Sequence, residues 1–279
     1  MKQQKLKAKL IVFTASLLIT MNVFAQDPDF YIYLCFGQSN MEGQGKIEEQ
    51  DKNVDSRFRV MQSFDCTNPD RTKGTWRTAV PPLCHCMSGL SPADYFGRTM
   101  IEKLPDNITV GVINVAIGGC DIRLFDKDLY RDYDSTYAEA WFTNIIKAYE
   151  GNPYNHLIGL AKLAQKDGVI KGILLHQGES NTGDTQWPSY VKKIYNDMLT
   201  DLSLSADSVP LLAGELSSAK GNCCSAMNPI INSLPYTIPS AYVISAEGCT
   251  AQDNAHFDSE GYRELGRRYA LKMLSLQGY

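Results

Sequence analysis

The sequence predicts an α/β protein in which helices cover both faces of a parallel sheet. Two observations lead to this prediction. Short β-type runs alternate along the chain with longer segments of helical periodicity, and this alternation is typical of parallel β-α-β units. Several of the β-type runs are also nearly continuous in apolar residues, as expected for strands that are covered on both faces.

The strands and helices can be assigned in order along the chain. Strands are predicted at 30–36, 108–115, 169–177, 209–216 and 241–247. Helices are predicted at 92–104, 136–149, 154–166 and 187–202, and a last helix begins after Asp258 or Ser259 as its N-cap. In open sheets of this kind, ligands bind beyond the carboxyl ends of the strands. A functional site is therefore expected in the segments that follow the strands.

The first 25 residues have the pattern of a secretory signal peptide. Four lysines precede an uncharged, mostly apolar run at 10–21, and Val23 and Ala25 occupy the usual cleavage positions. The alternative is a membrane anchor, but a spanning helix needs about 20 apolar residues. We therefore expect cleavage after Ala25, one domain at 26–279, and a secreted or periplasmic protein.

The charge of the chain argues against two classes of partner. The formal net charge is −4, and loss of the four N-terminal lysines takes it to −8. No basic patch or run of lysine and arginine appears in the mature sequence. Nucleic acid and anionic membranes are therefore not expected as partners.

Eight cysteines in an exported protein suggest disulfide bonds. Cys35 lies inside the first predicted strand and is expected to be a buried free thiol. The Cys-His-Cys sequence at 84–86 lacks a second ligand pair at zinc spacing, so neither a metal nor another cofactor is expected. The candidates for disulfide bonds lie in loop-like sequence and are Cys66, Cys84, Cys86, Cys223, Cys224 and Cys249.

Polar residues and glycines follow three of the predicted strands and precede the last helix. A serine hydroxyl is a weak nucleophile unless a base takes its proton, and His256 can serve Ser39 in that way. Asp253 can orient the imidazole and stabilise its protonated form. Candidate donors to an oxyanion are the Ser39 and Gly119 N–H groups and the Gln177 amide, each typically worth about 3–4 kcal/mol. In chain order, the residues at these positions are Ser39, Gly118, Gly119, Gln177, Glu179, Asn181, Asp253 and His256.

Each of these features also has an ordinary structural interpretation. Ser39 could cap a short helix, the glycine pair could form a simple turn, and His256 could be a structural histidine tied to Asp253. Gln177 and Glu179 could be polar residues at the rim of the sheet. The catalytic interpretation depends on their joint occurrence at the ends of the strands.

The sequence predicts lesser roles for the other histidines and for several aromatic residues. His176 ends a strand and is expected to be buried and hydrogen-bonded, with a supporting role at most. His156 is expected to be solvated on a helix, and His85 lies in a cysteine-rich loop. Exposed aromatics in the longer loops are expected to contact a ligand, with ordinary packing as the alternative. The candidate aromatics are Trp76, Tyr130 and Tyr133.

The sequence resembles the SGNH hydrolase superfamily, and within it the sialate O-acetylesterase and acetylxylan esterase group, carbohydrate esterase family six. The matching stretches are "FGQSNMEG", "NVAIGGCDI", "HQGESN" and "DNAHFDSEGYRELGRRYA". The resemblance implies a three-layer α/β/α fold of the flavodoxin-like type and a metal-free esterase that removes acetyl groups from sugars.

The resemblance also implies roles for individual residues. Ser39 is the implied nucleophile, His256 the base, Asp253 the orienting carboxylate, and Gly119 and Gln177 donors to the oxyanion. Gln177 stands where the superfamily usually has asparagine, and Cys120 where this group often has a hydroxyl residue. Supporting roles around the site are expected for Gln38, Asn40, Gly118 and Glu179.

Several functions remain open at this level. Within the esterase class, the acetylated glycan could be xylan or sialic acid. The chain could also be a non-catalytic glycan-binding protein on an esterase scaffold, but the three residues of a Ser-His-Asp triad are all present. An esterase for lipids or other small acyl esters is a further alternative, which the polar "QGESN" segment disfavours.

Overall fold

The computed structural model of this chain describes residues 26–134, 140–219 and 221–279. The predicted signal peptide and the beginning of the helix predicted at 136–149 lie outside the described residues. The strands are β1 (Asp27–Gly37), β2 (Phe58–Met61), β3 (Cys66–Thr67), β4 (Asp70–Arg71), β5 (Trp76–Thr78), β6 (Thr109–Ala116), β7 (Gly168–His176), β8 (Leu211–Gly214) and β9 (Ala241–Ile244). The helices are α1 (Ser39–Glu42), α2 (Pro92–Lys103), α3 (Tyr130–Asp134), α4 (Ala140–Ala148), α5 (Pro153–Ala164), α6 (Trp187–Asp201), α7 (Asn228–Asn232), α8 (Leu234–Thr237) and α9 (Ser259–Gln277).

The main sheet confirms the predicted parallel architecture. Its strand order is β5-β2-β6-β1-β7-β8-β9, and every neighbouring pair is parallel except β2 and β5. The sheet has seven strands rather than the five expected. The two additional strands, β2 and β5, have four and three residues, too short to form a recognisable apolar run.

Helices cover both faces of the sheet, as predicted. Alternate residues of a strand point to opposite faces, and β1 shows this directly. Leu34 and Phe36 pack in one apolar cluster with residues of α5 and α6, whereas Tyr33 and Cys35 pack in the other with residues of α2 and α9. Full burial of a large apolar side chain typically contributes about 1.5–3 kcal/mol, so β1 is anchored from both sides. Among the helices in the described part of the chain, none is long and apolar enough to cross a membrane.

Two of the long helices, α2 and α9, begin at capping residues. Ser91 and Asp94 form a capping box at the start of α2, and Pro92 occupies its first turn. The Asp258 side chain accepts a hydrogen bond of 2.8 Å from the Gly261 N–H and caps α9, as the sequence predicted.

Three central strands end side by side and position the site. Gly37 at the end of β1 pairs with Ala116 of β6 on one side and with His176 of β7 on the other. The segments that follow β1, β6 and β7 therefore leave the sheet at the same edge. This is the position at which an open parallel sheet binds its ligands.

Candidate active site

Ser39, His256 and Asp253 form one hydrogen-bonded chain. The Ser39 Oγ lies 2.9 Å from His256 Nε2, and His256 Nδ1 lies 2.9 Å from Asp253 Oδ2. Because a carboxylate only accepts hydrogen bonds, Nδ1 carries the ring proton and Nε2 is free to accept the serine proton. Ser39, which follows the first strand, and Asp253 and His256, which precede the last helix, thus have the hydrogen-bonding order of a Ser-His-Asp triad.

Ser39 reaches this position through a tight turn after β1. Gly37 has a φ of +148°, and a Cβ at this residue would lie 2.0 Å from the His176 carbonyl oxygen. Only glycine fits so close an approach. The chain then turns directly into α1, in which Ser39 is the first residue and Gln38 the N-cap. The serine hydroxyl bonds to His256 instead of capping the helix.

The loop that carries Asp253 and His256 is fixed before α9 begins. Asp253 Oδ1 accepts hydrogen bonds from the N–H groups of Ala255 and His256 at 2.8 and 2.7 Å. Partial burial alone would raise the pKa of Asp253, but the hydrogen bonds from the His256 ring and from these N–H groups outweigh it and lower that pKa. The carboxylate that faces the imidazole is therefore kept ionised.

Two backbone N–H groups are available beside the serine hydroxyl. Within the described chain, neither the Ser39 N–H nor the Gly119 N–H has a hydrogen-bond acceptor. Gly119 has a φ of +72°, a conformation that glycine adopts without strain. Its carbonyl accepts a 2.8 Å hydrogen bond from the Ser180 hydroxyl, which fixes the turn after β6. Both N–H groups are thus free to donate to a ligand.

Gln177 is placed differently from its predicted donor role. It is buried, with 1% of its surface exposed. Its Nε2 group faces three protein oxygens, those of Gln38 at 3.0 Å, Cys120 at 3.1 Å and Asn181 at 2.7 Å. Its Oε1 accepts a hydrogen bond from the Trp187 indole. Since both amide hydrogens have protein acceptors, these contacts do not support Gln177 as an oxyanion donor.

Gln38, rather than Gln177, has its side-chain amide at the pocket beside Ser39. Its Oε1 accepts hydrogen bonds from Gln177 Nε2 at 3.0 Å and from the N–H groups of Gly178 and Ser180 at 3.4 and 3.3 Å. These donors fix the orientation of the amide. In the described chain the Gln38 Nε2 group has no hydrogen-bond acceptor. It keeps some contact with solvent, since it is not one of the fully buried polar atoms without a partner. Because Gln38 lines the pocket beside Ser39, the NH₂ group is open to that pocket.

The serine hydroxyl opens into a pocket of about 490 Å³. Two lining residues with ionisable side chains, Glu42 and His85, were not among the predicted site residues. Sequence signals existed for both, since Glu42 lies within "GQSNMEG" and His85 between two cysteines. The lining residues are Gln38, Ser39, Glu42, Gln44, His85, Gly118, Gly119, Ile145, Ala255 and His256.

Comparison with known proteins agrees with this geometry. Residues 29–275 match the family described as carbohydrate esterase, sialic acid-specific acetylesterase. The chain belongs to this family. The resemblance drawn from the sequence motifs is thus confirmed, and the protein is a carbohydrate O-acetylesterase.

Solved structures share the fold of this esterase. A protein from Arabidopsis thaliana aligns with a TM-score of 0.66 at 21% identity, over 89% of this chain and 99% of that one. NanS aligns with a TM-score of 0.64 at 17% identity, over 90% and 98%. A carbohydrate acetylesterase from Xanthomonas citri aligns with a TM-score of 0.60 at 17% identity, over 89% of this chain and 57% of that one.

The cysteines of the esterase correct part of the disulfide prediction. Cys66 is bonded to Cys86, and Cys223 to Cys224. Cys84 and Cys249, also candidates, are instead buried free thiols. Cys35 is a buried free thiol as predicted, and so is Cys120. Within the described residues, no group of three or more potential ligands could hold a metal ion.

The two remaining histidines, His156 and His176, do not line the catalytic pocket. His176 is buried with a Tyr269 hydroxyl near its ring, as expected, and burial lowers its pKa to about 3. His156, expected in solvent, is instead buried, and its Nε2 donates to the Ser63 carbonyl.

Trp76 and Tyr130, two of the three aromatic residues expected to contact a ligand, do not line the pocket. Trp76 packs on Phe30 near the amino end of β1 and donates to Asp167, at the opposite end of the sheet from Ser39. Tyr130 lies on α3 and packs against the core. The Tyr133 side chain lies outside the described residues.

Proposed function

We propose that this esterase hydrolyses acetyl esters on glycans with Ser39 as nucleophile, His256 as general base and Asp253 as the orienting carboxylate. The observation that carries the proposal is the hydrogen-bonded chain from Ser39 through His256 to Asp253, with 2.9 Å at each link. This arrangement activates a serine hydroxyl, since the imidazole can take its proton as the oxygen attacks.

The reaction runs in two halves. Ser39 Oγ bonds to the acetyl carbonyl carbon while its proton passes to His256 Nε2, and a tetrahedral oxyanion forms. The bond to the sugar oxygen then breaks, and His256 returns the proton to the departing sugar hydroxyl. Water attacks the acetyl-enzyme, His256 takes its proton, and acetate leaves as Ser39 recovers its hydrogen.

The oxyanion is stabilised by three donors in this proposal. They are the N–H groups of Ser39 and Gly119 and the Nε2 group of Gln38. Both N–H groups lack protein acceptors in the described chain, and the Gln38 amide is oriented by the donors to its Oε1. Donors held in place before reaction need no reorganisation as charge develops. Gln177 acts through Gln38 as a positioning residue.

The remaining parts of the proposal concern substrate and location. Acetylated xylan and acetylated sialic acid are the two candidate glycans. We also propose that residues 1–25 are removed on export, and that 26–279 form one catalytic domain secreted or released to the periplasm. Mass spectrometry of the exported protein tests this, because it should give an N-terminus at Gln26.

Acetate release from a panel of acetylated xylans, sialosides and pectins tests the activity directly. The wild-type protein should release acetate from at least one of them, whereas Ser39→Ala should release none above background. EDTA should not change turnover, because no step uses a metal. Glycan binding without acetate release would favour a non-catalytic glycan-binding protein and refute the proposal.

A further inference from the structure

Among the described residues that line the pocket beside Ser39, there is an acidic side chain but no lysine or arginine. Glu42 lines the pocket with only 5% of its surface exposed. A substrate group that carries a negative charge would therefore meet a carboxylate and no lysine or arginine.

The Glu42 carboxylate lies close to the nucleophile. A Cβ placed on Gly118 would stand 3.0 Å from Glu42 Oε2 and 3.7 Å from the Ser39 Cβ. Both side chains therefore border the same small volume, which Gly118 leaves open by having no side chain. An ester bound at Ser39 therefore lies in a pocket that Glu42 lines.

His85 orients the Glu42 carboxylate. His85 Nε2 lies 3.0 Å from Glu42 Oε1, and His85 Nδ1 accepts a hydrogen bond of 3.2 Å from the Met87 N–H. With Nδ1 as the acceptor, His85 donates to Glu42 from Nε2. The adjacent Cys66–Cys86 disulfide anchors the loop that carries His85.

The carboxylate has capacity left for a ligand. Its oxygens accept from His85 and, at 3.0 Å, from Gln44 Nε2. A carboxylate has about four acceptor positions, so about two remain for hydroxyl donors. Sugar hydroxyls are such donors, and hydrogen bonds to a charged group are stronger than those between neutral groups.

We propose that Glu42, held by His85 and Gln44, determines specificity by selecting neutral acetylated sugars over sugars that carry a carboxylate. The inference rests on the proposed function, because it takes the pocket at Ser39 as the ester site. A neutral sugar gains hydroxyl hydrogen bonds to Glu42. The carboxylate of an acetylated sialic acid is repelled by the same group, and salt reduces that repulsion.

Two substrates that differ only in a negative charge can test this proposal. A 9-O-acetylated sialoside and its carboxyl methyl ester present the same acetyl group on the same sugar and differ in the negative charge. At low ionic strength, kcat/KM of the wild-type protein should be on the order of fivefold higher for the methyl ester. The ratio should fall toward one as salt is added.

Two variants assign the effect to Glu42. Glu42→Gln keeps the shape of the side chain and removes its charge, so the ratio between methyl ester and acid should fall to about one. Glu102→Gln is the matched control, because it removes the same charge from an exposed residue paired with Lys103. The control should keep the wild-type ratio. p-Nitrophenyl acetate, which has no sugar, reports whether each variant still has a working triad.

The outcomes separate this inference from the proposed function. Equal or faster hydrolysis of the acid, with normal turnover of p-nitrophenyl acetate, would overturn the role of Glu42 and leave the esterase mechanism standing. An unchanged ratio in Glu42→Gln would do the same. No turnover of any ester by the wild-type protein would refute the proposed function, and this inference with it.

Discussion

Asn40 holds the backbone on both sides of His256. Its Nδ2 donates to the Ala255 carbonyl at 3.0 Å, and its Oδ1 accepts from the Phe257 N–H at 3.3 Å. The same Oδ1 accepts a 2.7 Å hydrogen bond from the Tyr262 hydroxyl on α9. Because Asn40 follows Ser39 in the chain, one side chain ties the turn that carries the nucleophile to the loop that carries the base.

Removing this tie should impair the chemical step more than substrate binding. In Asn40→Ala we expect kcat for p-nitrophenyl acetate to fall by about 10²-fold, the order of loss that a small misplacement of catalytic groups produces. KM should change little. Asn232→Ala is the control, since it removes an exposed amide that bonds to Glu215 away from the site. Wild-type kcat in Asn40→Ala would show that the loop keeps His256 in place without it.

Substitutions in the triad should lower the turnover of p-nitrophenyl acetate to different degrees. Ser39→Ala should abolish turnover of p-nitrophenyl acetate and leave the circular dichroism spectrum unchanged. Asp253→Asn should lower kcat by about 10⁴-fold, because an amide no longer selects the tautomer that leaves Nε2 free. A loss below tenfold in Asp253→Asn would indicate that another carboxylate, such as Glu179, orients His256.

The oxyanion donors can be tested by a double-mutant cycle. Gln38→Ala should lower kcat by about 10²–10³-fold with little change in KM, as loss of one such donor does elsewhere. If Gln177 acts through Gln38, the variant that lacks both amides should be no slower than Gln38→Ala. If Gln177 donates directly, the two losses should multiply. Thermal unfolding of each variant provides the control for the buried Gln177.

The sequence alone was sufficient to predict which residues place functional groups at the carboxyl ends of the strands. Ser39, Gly119 and the Asp253–His256 pair follow strands or precede a helix with clear local patterns, so their meeting place follows from the parallel topology. The role of Gln177 could not be read in this way. Which of two adjacent amides faces the pocket depends on Trp187 and Asn181, whose contacts exist only in the folded chain.

The cysteine pairing and the contact between Glu42 and His85 could not be predicted from the sequence for a similar reason. Cys84 and Cys86 are equivalent in loop-like sequence, but only Cys86 lies beside Cys66 in the fold. His85 gains its importance from Glu42, 43 residues away in the chain. A pair this distant in sequence has no periodic signal, since it is brought together by the path of a loop.

The raised pKa of the buried Glu179 predicts that the free energy of unfolding depends on pH. Its Oε1 accepts from Asn40 Nδ2, whereas its Oε2 is buried without a partner in the described chain. Burial raises the pKa of Glu179, and the hydrogen bonds from Asn40 and from backbone N–H groups offset this only in part. The folded state therefore binds a proton more tightly than the unfolded state does. The free energy of unfolding should then fall as pH rises from the unfolded pKa through the raised folded one.

Glu179→Gln should remove this dependence, because glutamine keeps the shape and cannot ionise. We expect the free energy of unfolding of the variant, relative to wild type, to rise by about 1 kcal/mol between pH 5 and pH 8. Urea denaturation at the two pH values measures this difference. Glu247→Gln, at an exposed position, is the control and should show no such change. A difference for Glu179→Gln that is the same at both pH values would contradict the raised pKa, since an ionised Glu179 would then cost the folded state equally throughout.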